Sequence, residues 1–238
     1  MKKSALFITI FISVWLISLG CEMMPNNNGV MDSVYMDYDY NKIGYKFFKP
    51  TSKFNLHYDL EEISGLAYYQ PGVLVSVQDE SGRLFLIDSK NGKIIRTIRF
   101  DTSGDYEGVE IIDETAYVIE SNGDVFKFKM TDEKEAKTKK ENTVFNSSND
   151  VEGLGFANEY LLVACKASGD TKENKAKGKA IYRLDPKDLD VKKKEWLSFK
   201  PKDLEEFIEG RQYFKKIRQF DPSGIAIHPI TKDVYIIS

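Results

Sequence analysis

Cysteine, histidine and tryptophan are scarce in this sequence, with two of each in 238 residues. Cys21 and Cys165 allow at most one disulfide, and none if either thiol is otherwise engaged. A zinc site fails for want of His and Cys ligands. Histidine scarcity also argues against nucleophilic hydrolysis. His57 and His228 are far apart in the chain, no nearby His would activate Cys165, and no Gly-x-Ser-x-Gly elbow occurs. No glycine-rich phosphate loop precedes a helix. Nor does one charge sign dominate: 34 basic residues stand against 37 acidic, for a net charge of −3. Without a clustered basic surface there is no reason to expect a nucleic-acid partner. The lysine runs at 137–140 and 192–194 alternate with acids and read as solvated loops.

Uncharged apolar runs are short, with one exception at the start of the chain. Lys2 and Lys3 precede a charge-free stretch from Ala5 to Leu19, and Gly20-Cys21 follows. The stretch is short for a span of roughly 20 residues and suits the core of an export signal. Ile17-Ser18-Leu19-Gly20-Cys21 resembles the lipobox of exported lipoproteins, departing from its commonest form at Ser18. A plain membrane-spanning anchor is the alternative. Residues 1–21 are therefore expected to be a lipoprotein signal with Cys21 as the lipidated residue. Two acyl chains there suffice to hold the protein on a membrane of the cell envelope, at the outer membrane or a periplasmic face. Lipid on Cys21 leaves Cys165 unpaired; it lies in the apolar run Tyr160–Cys165 and reads as a buried small hydrophobe. Residues 22–50 form a tether and N-terminal segment, and 51–238 form the folded part.

What the folded part has in quantity is aromatic residues, 13 Tyr and 15 Phe, which lean towards β-structure. It also repeats itself. Glu62-Ile-Ser64-Gly65-Leu66, Asp105-Tyr-Glu107-Gly108-Val109, Asp150-Val-Glu152-Gly153-Leu154 and Asp221-Pro-Ser223-Gly224-Ile225 share one pattern, with glycines 43, 45 and 71 residues apart. Each motif opens an apolar strand and a second strand follows: 73–77, 116–119, 160–164 and 233–237. The turn pairs Ser81-Gly82 and Asn122-Gly123 lead into third strands at 83–87 and 124–128, and Asn91-Gly92 leads into a fourth at 93–100.

Short strands, hairpin turns and a period near 45 predict an all-β fold of four-stranded propeller blades. A β-sandwich is the alternative, but it has no reason to repeat one motif at near-constant spacing. The long third step carries two insertions: 166–179, expected as a mobile hairpin extension, and 200–219, whose Leu204, Phe207, Ile208 and Phe214 suit a short amphipathic helix. About three and a half blades are present where a closed propeller takes roughly four to eight, so C-terminal truncation is expected.

The stretches Leu60–Tyr69, Val75–Asp88, Gly104–Val109 and Asp221–Pro229 resemble the SdiA-regulated family of exported β-propellers. The resemblance implies six blades in the whole protein, a periplasmic or surface location and a metal in the axial channel. It implies no established activity.

First strands of propeller blades line the channel, so the repeated acids Glu62, Asp105, Asp150 and Asp221 should converge there, with Glu107 and Glu152. Clustered carboxylates need a cation, shared protons or basic partners. Hard oxygen donors suit Ca²⁺. Alternatively, each acid caps its own blade by accepting backbone N–H bonds. Gln78, Asp79, Glu80, Glu120 and Lys166 follow second strands and form a second set, facing a ligand pocket or making ordinary rim turns. These readings favour a non-enzymatic, lipid-anchored binding or scaffold module for a protein, small-molecule or glycan ligand. A metal-dependent phosphoesterase or lactonase-type hydrolase is the alternative, since fold alone does not separate them.

Overall fold

Runs of β-branched and aromatic residues, broken by turn pairs, fold into antiparallel meanders that follow chain order. The computed structural model describes residues 8–11, 50–200 and 220–238. Strand β1 (Ile8–Phe11) precedes the folded part, and a 3₁₀ turn (Tyr58–Leu60) leads into the first sheet. That sheet is β2 (Ile63–Gln70), β3 (Val73–Gln78), β4 (Ser81–Asp88) and β5 (Ile94–Ser103). The second is β6 (Tyr106–Ile112), β7 (Thr115–Glu120), β8 (Val125–Lys129) and β9 (Lys139–Glu141). The third is β10 (Val151–Ala157), β11 (Tyr160–Cys165), β12 (Lys179–Leu184) and β13 (Leu197–Phe199). Strands β14 (Gly224–Ile227) and β15 (Val234–Ile237) begin a fourth, and β1 lies parallel against β15.

Within each complete sheet the strands pair in sequence order, and successive sheets stack face to face. One core lies between the first and second sheets, where Val75, Leu84 and Ile98 meet Tyr106, Val118 and Phe126. The next joins Tyr117 and Ile119 to Leu161, Val163 and Tyr182, and the third joins Leu162 and Ile181 to Ile225 and Ile236. Strand β7 is buried along its whole length, because it is covered on both faces. The initial strands β2, β6, β10 and β14 run side by side as the inner strands. This is the blade arrangement of a β-propeller, as the repeat predicted.

The motif glycine is what allows the inner strands to meet. A Cβ on Gly65 would sit 2.8 Å from the Val109 nitrogen and 3.0 Å from the Gly108 backbone. One on Gly108 would sit 2.7 Å from the Leu154 Cβ, and one on Gly153 would sit 3.2 Å from the Gly224 backbone. None of these glycines has a positive φ, so the requirement is space and not backbone conformation.

The insertion at 166–179, expected as a mobile hairpin extension, is bonded to side chains outside it. The buried Asn149 side chain donates to the carbonyls of Ser168 (2.8 Å) and Asp170 (2.7 Å), and the Tyr182 hydroxyl donates to Gly169 (2.6 Å). A side-chain amide from outside the insertion thus satisfies two of its backbone carbonyls. The lysine run at 137–140 is likewise not wholly a loop, since its end forms β9. The helix expected within 200–219 lies outside the described residues, except for Lys200.

Gly65→Ala is expected to cost about 1–3 kcal/mol, since rigid backbone faces the added methyl. Gly72→Asn should cost less than about 1 kcal/mol: Gly72 has φ +81 with nothing near its Cβ position, and Asn tolerates that region. Urea denaturation of both variants tests the difference, and equal stabilities would mean that the inner strands yield.

Candidate functional site

A bulge interrupts the pairing of each of the first three inner strands, between Ile63 and Gly65, Tyr106 and Gly108, and Val151 and Gly153. The extra residue is Ser64, Glu107 or Glu152, and a bulge re-aims the side chain it carries. The Ser64 hydroxyl accordingly donates to the Tyr106 carbonyl of the next sheet. Glu107 and Glu152, from adjacent sheets, come under each other's charge together with Asp105.

Burial, then the charges of Glu152 and Asp105, push the Glu107 carboxyl up to about 8. Burial also raises Glu152, opposed by the Lys166 ammonium that donates to it. Lys166 lies 3.8 Å from Asp150 as well, and its ammonium is held charged by its bond to Glu152. Asp105 accepts from the Ser121 hydroxyl. The structure therefore brings Asp105, Glu107, Asp150 and Glu152 under one another's charge at the opening end of β6 and β10, with Lys166 paired to Glu152 and Asp150.

The remaining acids do not join them in one cluster. Glu62 is exposed, with φ +59, at the start of the first sheet. Asp221 pairs with Lys179 at 2.6 Å. Among the described residues, no three His, Cys, Asp or Glu side chains are placed to hold a metal ion. Two of the carboxyls expected to hold Ca²⁺, Glu152 and Asp150, pair with the Lys166 ammonium.

The capping alternative takes a different form from the one expected. The position's carbonyl, and not its carboxylate, makes the repeated bond: Asp79 N–H donates to Glu62 (3.3 Å), Ser121 to Asp105 (3.0 Å) and Lys166 to Asp150 (2.9 Å).

Of the second set, only Lys166 reaches the cluster. Glu120 is buried at the end of β7 and accepts from Lys140 (2.9 Å), which also pairs with Asp124 (3.1 Å). Gln78 donates to Asp79 at 3.3 Å, and the exposed Glu80 uses its carbonyl to accept from Gly104. Cys165 is fully buried, and burial pushes its thiol up to about 12, which makes it inert. The His228 ring nitrogen accepts from Thr231 N–H at 3.0 Å and closes a turn. One acid escaped the sequence reading: Glu110 on β6, which burial lifts to about 7. Its counterparts two residues beyond the other motif glycines are Ala67, Gly155 and Ala226, and that contrast was readable from the sequence.

The raised acids set a sign for pH dependence. A carboxyl whose folded pKa is raised stabilises the fold fully below its unfolded value near 4.5, and loses that contribution as pH rises through its folded value. Stability should therefore fall between about pH 4.5 and pH 8. Glu107→Gln should remove part of the slope, and Glu107→Gln with Glu110→Gln most of it. After solvent screening of the half-buried Glu107, the gain at pH 8 should be about 1 kcal/mol. Melting curves across that range test it; an unchanged slope in the double variant would remove these acids as its source.

The chain is similar to several solved structures. They include glutaminyl cyclase of Myxococcus xanthus, with 15% identity over 74% of this chain and 67% of that one (TM-score 0.47). A streptogramin B lyase matches at 14% identity over 78% of this chain (TM-score 0.46), and the chain spans 51% of its length. The β-propeller domain of Cps50 (Swd1) from Myceliophteria thermophila matches at 14% over 71% of this chain and 47% of that one (TM-score 0.40). No curated protein matches in sequence. The family model described as SdiA-regulated matches residues 53–161, from the first sheet to the start of β11, a little under half of the chain.

Proposed function

We propose that the protein is a lipid-anchored binding module of the cell envelope, whose ligand-facing surface is the acid-lined end of the inner strands. The observation that carries this reading is the meeting of Asp105, Glu107, Asp150 and Glu152 from two sheets, with Lys166 as the ammonium paired to Glu152 and Asp150 among the described residues. Four carboxyls against one ammonium favour a ligand presenting an ammonium or guanidinium group, whether on a small molecule, an amino sugar or a protein side chain. Calorimetric titration with a polyamine and with an arginine-rich peptide tests this. Binding should weaken about tenfold on Glu152→Gln, whereas equal affinity in that variant would place the ligand elsewhere.

Lipid anchoring rests on the order of positive, apolar and Gly-Cys residues before position 22. Cys21 lies outside the described residues, and among those no helix is long and apolar enough to cross a membrane. Cleavage before Cys21 would remove β1, whose pairing partner is β15. Cys21→Ser should abolish palmitate labelling and shift the protein out of the membrane fraction. Unchanged labelling would rule out the anchor.

A metal-dependent hydrolase is the competing reading, and calcium separates it from ours. With Lys166 already balancing Glu152, millimolar Ca²⁺ and EDTA should give coincident melting midpoints. A calcium-induced rise lost on Glu107→Gln and Glu152→Gln would favour the metal site instead.

A further inference from the structure

The seam between the third and fourth sheets lacks a bond that the first two seams share. At the first seam, Tyr106 donates its N–H to the Asp79 carbonyl at 2.8 Å; at the second, Val151 donates to Ser121 at 2.8 Å. In both, the donor is the residue after the first motif acid. The equivalent acceptor in the third sheet is Lys166, whose N–H meets Asp150 as those of Asp79 and Ser121 meet Glu62 and Asp105. The equivalent donor is position 222, a buried proline with no N–H. The Lys166 carbonyl is nonetheless satisfied, because the Lys179 ammonium donates to it. The same ammonium pairs with Asp221, the residue before the proline, at 2.6 Å. Lys179 and Asp221 are each about one-quarter exposed.

We infer that Lys179 is the lock of this seam: its ammonium supplies the donor that Pro222 withholds and ties the third sheet to the fourth through Asp221. The first two seams are closed by main-chain bonds that no side chain can release. At the third, among the described residues, the Lys166 carbonyl is met instead by a partly exposed charge, which salt screens and a competing anion can draw away. Strands β14 and β15 are thus the part of the described fold that separates first. Because the lock sits on the Lys166 carbonyl while the Lys166 ammonium lies among the clustered acids, the seam is mechanically continuous with that cluster. The inference itself rests on the seam geometry and not on any ligand.

Hydrogen–deuterium exchange on the whole protein tests the lock. Lys179→Met should speed amide exchange in β14 and β15 about tenfold, the loss expected for a charged hydrogen bond, while β6 exchange stays unchanged. Pro222→Ala restores an N–H at the seam, so in that background Lys179→Met should speed exchange less than about threefold. Raising salt from about 0.05 to about 0.5 M should speed exchange of wild-type β14 and leave β6 alone. Unchanged β14 exchange in Lys179→Met, or an equal effect with and without Pro222→Ala, would overturn the inference. If Lys179→Met does not fold, the wild-type salt series decides: parallel responses of β14 and β6 overturn it.

Discussion

Everything in this fold depends on how closely the inner strands approach one another. Four-stranded sheets of this size bury their apolar faces only by stacking, and stacking around an axis brings initial strands together backbone to backbone. Gly65 over Gly108 leaves no room for a methyl group, and Gly153 over Gly224 leaves little. The bulge beside each of the first three glycines follows from the same constraint. It absorbs one residue so that the strand stays paired with its neighbour while bending towards the axis. Of the residues it absorbs, Ser64 bonds across to the next sheet, Glu107 comes under the charge of Glu152 in the next, and Glu152 bonds to Lys166 of its own sheet.

That geometry creates an electrostatic problem. Bulge carboxylates from adjacent sheets are brought under one another's charge, and two like charges about 4 Å apart cost on the order of 1 to 4 kcal/mol. The structure relieves this in three ways. Ser64 puts a hydroxyl where the other two sheets carry acids. Glu107 holds its proton to about pH 8. Lys166, at the end of β11, places an ammonium against Glu152 and Asp150. A calcium ion would relieve the same repulsion, but an ammonium already there raises the cost of bringing one in.

Much of this was legible in the sequence because it is periodic. The motif placed all four inner strands. The expected second strands 73–77, 116–119, 160–164 and 233–237 match β3, β7, β11 and β15 to within one residue at each end. What escaped lies where periodicity stops. Strands β9 and β13 are three residues each, too short to show alternation, and both close the outer edges of their sheets. The 166–179 insertion looked loose by composition, but its order comes from Asn149, a residue outside it. Grouping the acids by motif position also misled. Glu62 and Asp221 share the pattern of Asp105 and Asp150, yet Asp150 pairs with Lys166, just after β11, and Asp221 with Lys179, at the start of β12.

The repeated acid has an unequal division of labour between main chain and side chain. In the first three sheets its carbonyl accepts the N–H that ends the second strand, a bond any residue could make. Glu62 and Asp150 also adopt left-handed φ values of 59 and 49, a region where Asp is better tolerated than β-branched or bulky residues. Asp105 does not adopt that conformation, so backbone geometry does not explain an acid there. Its carboxylate accepts from Ser121, Asp150 faces Lys166, and Asp221 holds Lys179. The main-chain bond is common to these three sheets, while each carboxylate has a different partner. The backbone bond is therefore the architectural element, and the carboxylates are where one seam is made chemically different from the next.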